Sequence, residues 1–183
     1  MHAIALVGMA GSGKLEVARV FINNGYQVLR FGDITDAEVE RRGLTLMEEN
    51  ERTVREDLRR IHGMAAYAIL NLPRIVAGLK ESDLVIDGLY SWEEYKYLRE
   101  KLAAGLLTLA VWAPPELRHK RLDNRKVRPL TLEQARARDF AEIENVNKGG
   151  PIAMADFTIK NDGTLSELER QAMAVIREQK RKR

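Results

Sequence analysis

The sequence has 183 residues, 45% hydrophobic and 31% charged, enough for one compact domain with a sizeable core. It has no cysteine, which excludes disulfides and thiolate metal sites, and no apolar run near the ~18 residues of a membrane span. The net charge of +3 is local: REQKRKR (177–183) holds five bases and one acid, contributing +4 and leaving −1 for the remainder. That distribution argues against a nucleic-acid-binding body. The tail reads as a solvated helix end, where cations suit the macrodipole, with RNA or acidic-partner binding as the alternative. MHAIALVG runs straight into the fold, so no signal peptide is expected and a cytoplasmic location is.

In chain order, HAIALVG (2–8) is a short buried strand followed by a Gly-rich loop. KLEVARVFINNG (14–25) is a helix with Val17, Ala18, Phe21 and Ile22 on one face and Gly25 at its C-terminal cap. QVLRF (27–31) is a second strand. A long helical region runs from Thr35 to about Gly78, broken near Gly43 and Gly63. DLVIDG (83–88) is a third strand, and SWEEYKYLREKLA (91–103) a helix opened by a Ser91/Glu94 capping box. LLTLAVWA (106–113) is a fourth strand, and Pro114-Pro115 opens a helix where proline is tolerated. Thr131/Gln134 start another helix, FTIKN (157–161) is a fifth strand, and Thr164/Glu167 cap the last helix. Strands buried on both faces and separated by helices mean an α/β fold of βαβ units around a parallel sheet. Ligands in such sheets sit beyond the carboxyl ends of the strands, where Gly8, Asp33, Asp87, Ala113 and Asn161 fall.

Residues 8–15 read GMAGSGKL, seven of the eight letters of the phosphate-binding pattern G-x-x-x-x-G-K-[ST]. Gly8, Gly11 and Gly13 free the backbone to turn its N–H groups inward, the following helix N-terminus adds its own, and Lys14 reaches the β- and γ-phosphates. The loop Gly8, Met9, Ala10, Gly11, Ser12, Gly13, Lys14 and Leu15 is therefore the expected nucleotide cradle. Leu15 stands where a Ser or Thr hydroxyl normally ligates Mg²⁺. Mg²⁺ keeps several waters, so a water can fill that position while Asp87, ending the apolar run LVID, holds the ion. Ser12 comes one residue too early to substitute. Asp87 has a second reading, as the residue that satisfies a D-G turn.

VGMAGSGKLEVARVF, FGDITDAEVERRGL, LVIDGLYSWEEYKYLRE and ADFTIKNDGTLSEL follow, in order, the pattern of P-loop nucleotide kinases. The whole chain resembles an adenylate-kinase-like group known chiefly from archaea and is similar to dephospho-CoA kinases. The resemblance implies a three-layer sandwich with a five-stranded parallel sheet, a substrate-binding helical region (about 33–80) and an Arg-bearing lid (about 118–140). It implies ATP and Mg²⁺ as cofactors, with Arg121, Arg125, Arg128 and Arg138 closing over the transferring phosphates. The lid segment 118–139 carries eight bases and three acids. The resemblance also implies that Asn161 and Gly163 in KNDG touch the adenine, and that Asp33 faces the acceptor. Asp33 with Asp36 also reads as an N-cap pair.

The acceptor side departs from the pattern. Asp36 stands where a phosphate-clamping Arg often follows, and Leu89, Tyr90 and Ser91 replace another. Arg41, Arg42, Arg55 and Arg59 are candidate substitutes, although residues 33–60 hold nine acids and six bases. Trp92, Tyr95 and Tyr97 read as core or helix-surface aromatics, with stacking on an acceptor as the alternative. His2, His62 and His119 show no metal spacing.

The leading reading is a phosphotransferase that passes the γ-phosphoryl of ATP, with GTP as the alternative donor, to a nucleotide-like small molecule. The alternative is a nucleotide-binding regulatory or partner-binding protein with little turnover, given Leu15, Asp36 and Tyr90. A nucleic-acid-associated NTPase rests only on the tail.

Overall fold

The computed structural model describes residues 1–126 and 129–181. Five strands, β1 (Ala3–Val7), β2 (Gln27–Arg30), β3 (Leu84–Asp87), β4 (Leu106–Trp112) and β5 (Phe157–Lys160), form one parallel sheet in the order β2-β3-β1-β4-β5. All five residues of β1 are buried, as a central strand covered on both faces requires. Its register sets Leu6 beside Asp87 and Val7 beside Ala110, so the strand ends that carry the loops lie level along one edge.

Helices cover both faces. Against one lie α1 (Lys14–Ile22) and α9 (Leu165–Arg181), burying Val17, Phe21, Leu168, Ala172 and Ile176 with Ile4, Leu6 and Val85. Against the other lie α2 (Asp33–Arg41), α3 (Glu48–His62), α4 (Ala66–Gly78) and α5 (Trp92–Leu102), which bury Val39, Val54, Tyr67, Ile75 and Leu98. The expected breaks near Gly43 and Gly63 are the α2–α3 and α3–α4 junctions. Beyond β4 come α6 (Pro115–Asp123), α7 (Leu132–Glu144) and α8 (Gly149–Ala153). Among the described residues no helix is long and apolar enough to cross a membrane.

Local chemistry sets several helix ends. Gly25, at φ 91°, closes α1: its N–H donates to Ile22 O, and Tyr26 N–H donates to Phe21 O. Ser91 and Glu94 make a reciprocal capping box, as do Thr131 and Gln134, and Pro115 opens α6. Three expectations change. Ile22 is 43% exposed, and Val20 takes its place because the covered stripe of α1 is the one facing α9 and the sheet. The cap of α2 is Gly32, without a side-chain bond, so Asp33 and Asp36 are not its N-cap pair. Helix α8 was not expected from GGPIA. Pro151 sits in its first turn, where a missing N–H costs nothing, and a Cβ on Gly150 would meet the Trp92 ring at 2.7 Å.

Candidate active site

The Gly-rich loop leaves β1 and enters α1 in a shape that needs glycine. Gly11 and Gly13 have φ of 78° and 98°. A side chain on Gly11 would strike the Arg118 carbonyl, and one on Gly13 the Asn161 side chain. Lys14 Nζ donates to Gly8 O at 2.8 Å and Met9 O at 3.2 Å. The N–H groups of Gly11, Gly13, Lys14 and Leu15 make no hydrogen bond among the described residues. They form a ring of open donors at a helix N-terminus, which is an anion site.

Around the loop is a cleft of about 490 Å³ lined by Lys14, Asp87, Tyr90, Arg121, Arg125, Arg138, Glu142, Lys148 and Asn161, among others. Burial, with the neighbouring Lys148 second, pulls the Lys14 ammonium down to about 7. Asp87 projects from the end of β3 into the same space. Leu15 is 57% exposed at the mouth and offers no oxygen, and Ser12 is 1% exposed, turned into the fold. Of the carboxylates lining the cleft, Glu16 is paired with Arg19 and Glu142 with Arg138 and Lys148, which leaves Asp87 for Mg²⁺ and fits an ion that takes the rest of its shell from phosphates and water. Among the described residues there is no cluster of three or more metal-ligating side chains.

The far end of the cleft is built from two crossing contacts. Asn161 Nδ2 donates to Ser12 O at 2.8 Å, and Arg121 donates to Asn161 O and Oδ1 at 3.0 and 3.1 Å. The other terminal nitrogen of Arg121 is buried without a partner among the described residues. Gly163 lines this end. Arg125 and Arg138 line the cleft from the lid side; Arg128 lies outside the described residues.

The expected acceptor-side residues are placed apart. Asp33 does not line the cleft: it pairs with Arg74 at 2.9 Å and with Arg30 at 3.5 Å. Three of the four candidate arginines are spent on carboxylates. Arg41 binds Glu38, Arg42 binds Glu38 and Asp57, and Arg55 binds Glu48 and Glu51. Arg59 has no ion pair among the described residues; its guanidinium lies 5.6 Å from the Tyr67 ring centroid and its Nε is buried without a partner. Trp92 and Tyr95 stack on each other at 5.1 Å, which accounts for them as packing residues.

Four residues the sequence did not single out shape the site. Arg74 reaches Asp33 from α4. Arg118, 5% exposed, bonds Ala10 O, Ala113 O and, in two parallel bonds, Asp139. Lys148 and Glu142 form a buried pair at 2.9 Å in the cleft itself. None has a spacing signal: Arg74 meets Asp33, Arg118 meets Asp139 and Glu142 meets Ala10 across long stretches of chain, and Lys148 meets Glu142 across the α7–α8 turn.

Glu94 lies under the cleft floor. It is fully buried and accepts from the N–H groups of Tyr90 and Ser91 at 2.8 and 3.2 Å, while its other oxygen has no partner among the described residues. Burial raises its carboxyl to about 7, against the pull of those two amides. The native state therefore binds more protons than the unfolded chain between about pH 4.5 and 7, and stability falls as pH rises through that window. Glu94→Gln keeps an acceptor for the two amides and removes the charge. Urea unfolding at pH 5 and pH 8 should show a gain on the order of 1–2 kcal/mol at pH 8 only. An unchanged pH slope would refute this assignment.

No protein-family model matches the chain. Among curated proteins it is 35% identical over 179 residues to a UPF0200 protein of Thermococcus kodakarensis, with 96% of each chain covered. It is 33% identical over 181 residues to one of Methanosarcina barkeri, covering 96% of this chain and 95% of that one. Among solved structures, a Thermus thermophilus protein superposes with a TM-score of 0.60 at 26% identity over 97% of both chains. Shikimate kinase from Acinetobacter baumannii superposes with a TM-score of 0.59 at 19% identity, over 98% of this chain and 95% of that one, which shows a shared fold. The five parallel strands, the glycine loop and these near full-length matches agree: the chain has a P-loop kinase fold and belongs to the UPF0200 family.

Proposed function

We propose that this protein is an ATP-dependent phosphotransferase whose acceptor is a nucleotide-like small molecule, of the nucleoside monophosphate or dephospho-CoA type. The observation that carries this reading is one cleft in which open loop amides, Lys14, Lys148, Arg121, Arg125 and Arg138 converge with Asp87, the carboxylate there that no lysine or arginine holds in an ion pair among the described residues. Positioning and charge stabilisation are most of what phosphoryl transfer asks of a protein. The loop amides and Lys14 hold the phosphates. Arg121 and Asn161 frame the end where the base lies, next to Gly163. Arg125 and Arg138 face the transferring group and help exclude water. Asp87 would hold Mg²⁺, which when bound neutralises charge on the β- and γ-oxygens. The acceptor lies between residues 33–80 and the lid (118–140), reaching out of the cleft to Asp33, which Arg74 and Arg30 hold beyond the cleft lining and which would position it there, with Arg59 left to bind its anionic part.

The first test is calorimetry with ATP, with and without Mg²⁺, on the native protein and on Leu15→Ser. Mg·ATP is expected to bind well, with Leu15→Ser changing affinity within about threefold, because a water would take the position that Leu15 leaves on the ion. Labelled γ-phosphate should then pass to a nucleoside monophosphate or dephospho-CoA. ATP binding that ignores Mg²⁺, with metal dependence restored by Leu15→Ser and no labelled acceptor, would overturn the phosphotransferase. It would leave the second reading, a nucleotide-binding regulatory protein, which the ion-paired state of Arg41, Arg42 and Arg55 favours.

A further inference from the structure

The phosphate loop already holds an anion. Glu142, near the end of α7, reaches across the cleft so that its Oε2 accepts from Ala10 N–H at 3.1 Å and from Lys148 Nζ at 2.9 Å. Its Oε1 accepts from Arg138 Nε at 3.2 Å. A loop amide, a lysine and an arginine around one carboxylate is the donor set a phosphate group would meet at the same place. The neighbouring amides of Gly11, Gly13, Lys14 and Leu15 have no acceptor among the described residues, so the carboxylate fills one seat of a larger anion site.

Lys148 is unusually committed for a lysine. Its side chain is 3% exposed, and its ammonium lies 4.7 Å from the Tyr90 ring centroid. A lysine so far from water needs a counter-ion, and Glu142 is the one it has within ion-pair distance among the described residues. A phosphate oxygen can replace that carboxylate charge for charge. Arg138, four residues before Glu142 on the same helix and half exposed, can keep hold of the carboxylate as it swings outward.

We propose that Glu142 is a built-in placeholder for a nucleotide phosphate, and that Lys148 is a further phosphate-binding residue which the phosphate takes over from it. The proposal rests on reading the cleft as a nucleotide site. On exchange, the phosphate accepts from Ala10 N–H and Lys148, and the carboxylate leaves the loop. No covalent bond changes. The exchange explains why so acidic a group stands in a phosphate loop: it keeps a buried lysine paired, and α7 seated, while the site is empty.

The test measures binding of inorganic tripolyphosphate and, separately, of ATP by calorimetry. Glu142→Gln is expected to bind tripolyphosphate about tenfold tighter than native protein, because the competing charge is gone. Lys148→Met should bind about tenfold weaker, and Lys148→Arg should restore most of the loss. A purely structural pair would move Glu142→Gln and Lys148→Met in the same direction, and that result, or no change, overturns the proposal. If Glu142→Gln fails to fold with Lys148 unpaired, Glu142→Asp serves. It keeps the charge but withdraws it from Ala10, and should still bind a few-fold tighter. If tripolyphosphate follows this pattern while ATP does not bind, Glu142 holds the place of a polyphosphate that is not a nucleotide's, and the nucleotide reading falls. If ATP binds native protein and Glu142→Gln alike, the nucleotide reading stands and the placeholder falls. If neither ligand binds any form, both are overturned.

Discussion

Lys14→Met is expected to lower phosphoryl transfer by about 10²–10³-fold, the usual loss when a group that stabilises transition-state charge is removed. The same substitution should stabilise the empty protein. Burial and the adjacent Lys148 bring the Lys14 ammonium to about 7, so near neutral pH the fold holds a lysine that would rather be uncharged. Between about pH 7 and 10.5 the native state binds fewer protons than the unfolded chain, so stability rises with pH across that window. Lys14→Met should abolish the rise, giving its largest gain at pH 7 and none near pH 10.5. A bound polyphosphate restores the full charge. Nucleotide binding at pH 8 should therefore take up about one proton, read by calorimetry in two buffers of different ionisation heat, and almost none at pH 6. Uptake that survives in Lys14→Met would place the proton elsewhere and refute the assignment. Gain in stability with loss of activity is the signature of a residue kept for its function.

What could be read from the sequence is what acts over short distances. The glycine loop between an apolar strand and an amphipathic helix is contiguous, so its conformation follows from its letters. The Ser91/Glu94, Thr131/Gln134 and Thr164/Glu167 caps form as written, because three residues of spacing fix the geometry. The alternation of buried strands with helices gives the parallel sheet. What could not be read is which charges meet across the chain. Glu142 lies 132 residues from the Ala10 amide it occupies. Lys148 sits before Gly-Gly-Pro, which opens a helix that the sequence reading did not include. The count of nine acids and six bases over 33–60 says the region is acidic. Only the fold shows that Arg41, Arg42 and Arg55 are neutralised there and that Arg59 has no ion pair among the described residues. Asp33 has the same history: its place at the strand end was legible, but its partner Arg74 comes 41 residues later.

Asp139→Ala should be the most destabilising single change on the lid side. Asp139 receives two parallel bonds from Arg118 at 2.7 and 2.8 Å and a third contact from His119 Nε2 at 2.8 Å. Burial alone would raise its carboxyl, but the hydrogen bonds from Arg118 and His119 hold it below the usual range. Removing it leaves the guanidinium of Arg118 buried with only the carbonyls of Ala10 and Ala113. Breaking a buried pair from one side costs about 3–5 kcal/mol, and the two remaining carbonyls argue for the lower end. For a chain of this size that is a fall of roughly 6–12 °C in Tm. Phe140→Ala, one residue on and 64% exposed, is the control and should stay within about 0.5 kcal/mol. The consequence reaches the loop, because Arg118 also braces Ala10, whose N–H faces the phosphate seat. Asp139→Ala should therefore weaken tripolyphosphate binding at a temperature where the variant is still folded, whereas Phe140→Ala should not. Equal Tm values for the two variants would show that Arg118 is held by the two carbonyls alone and that Asp139 does not pin the lid.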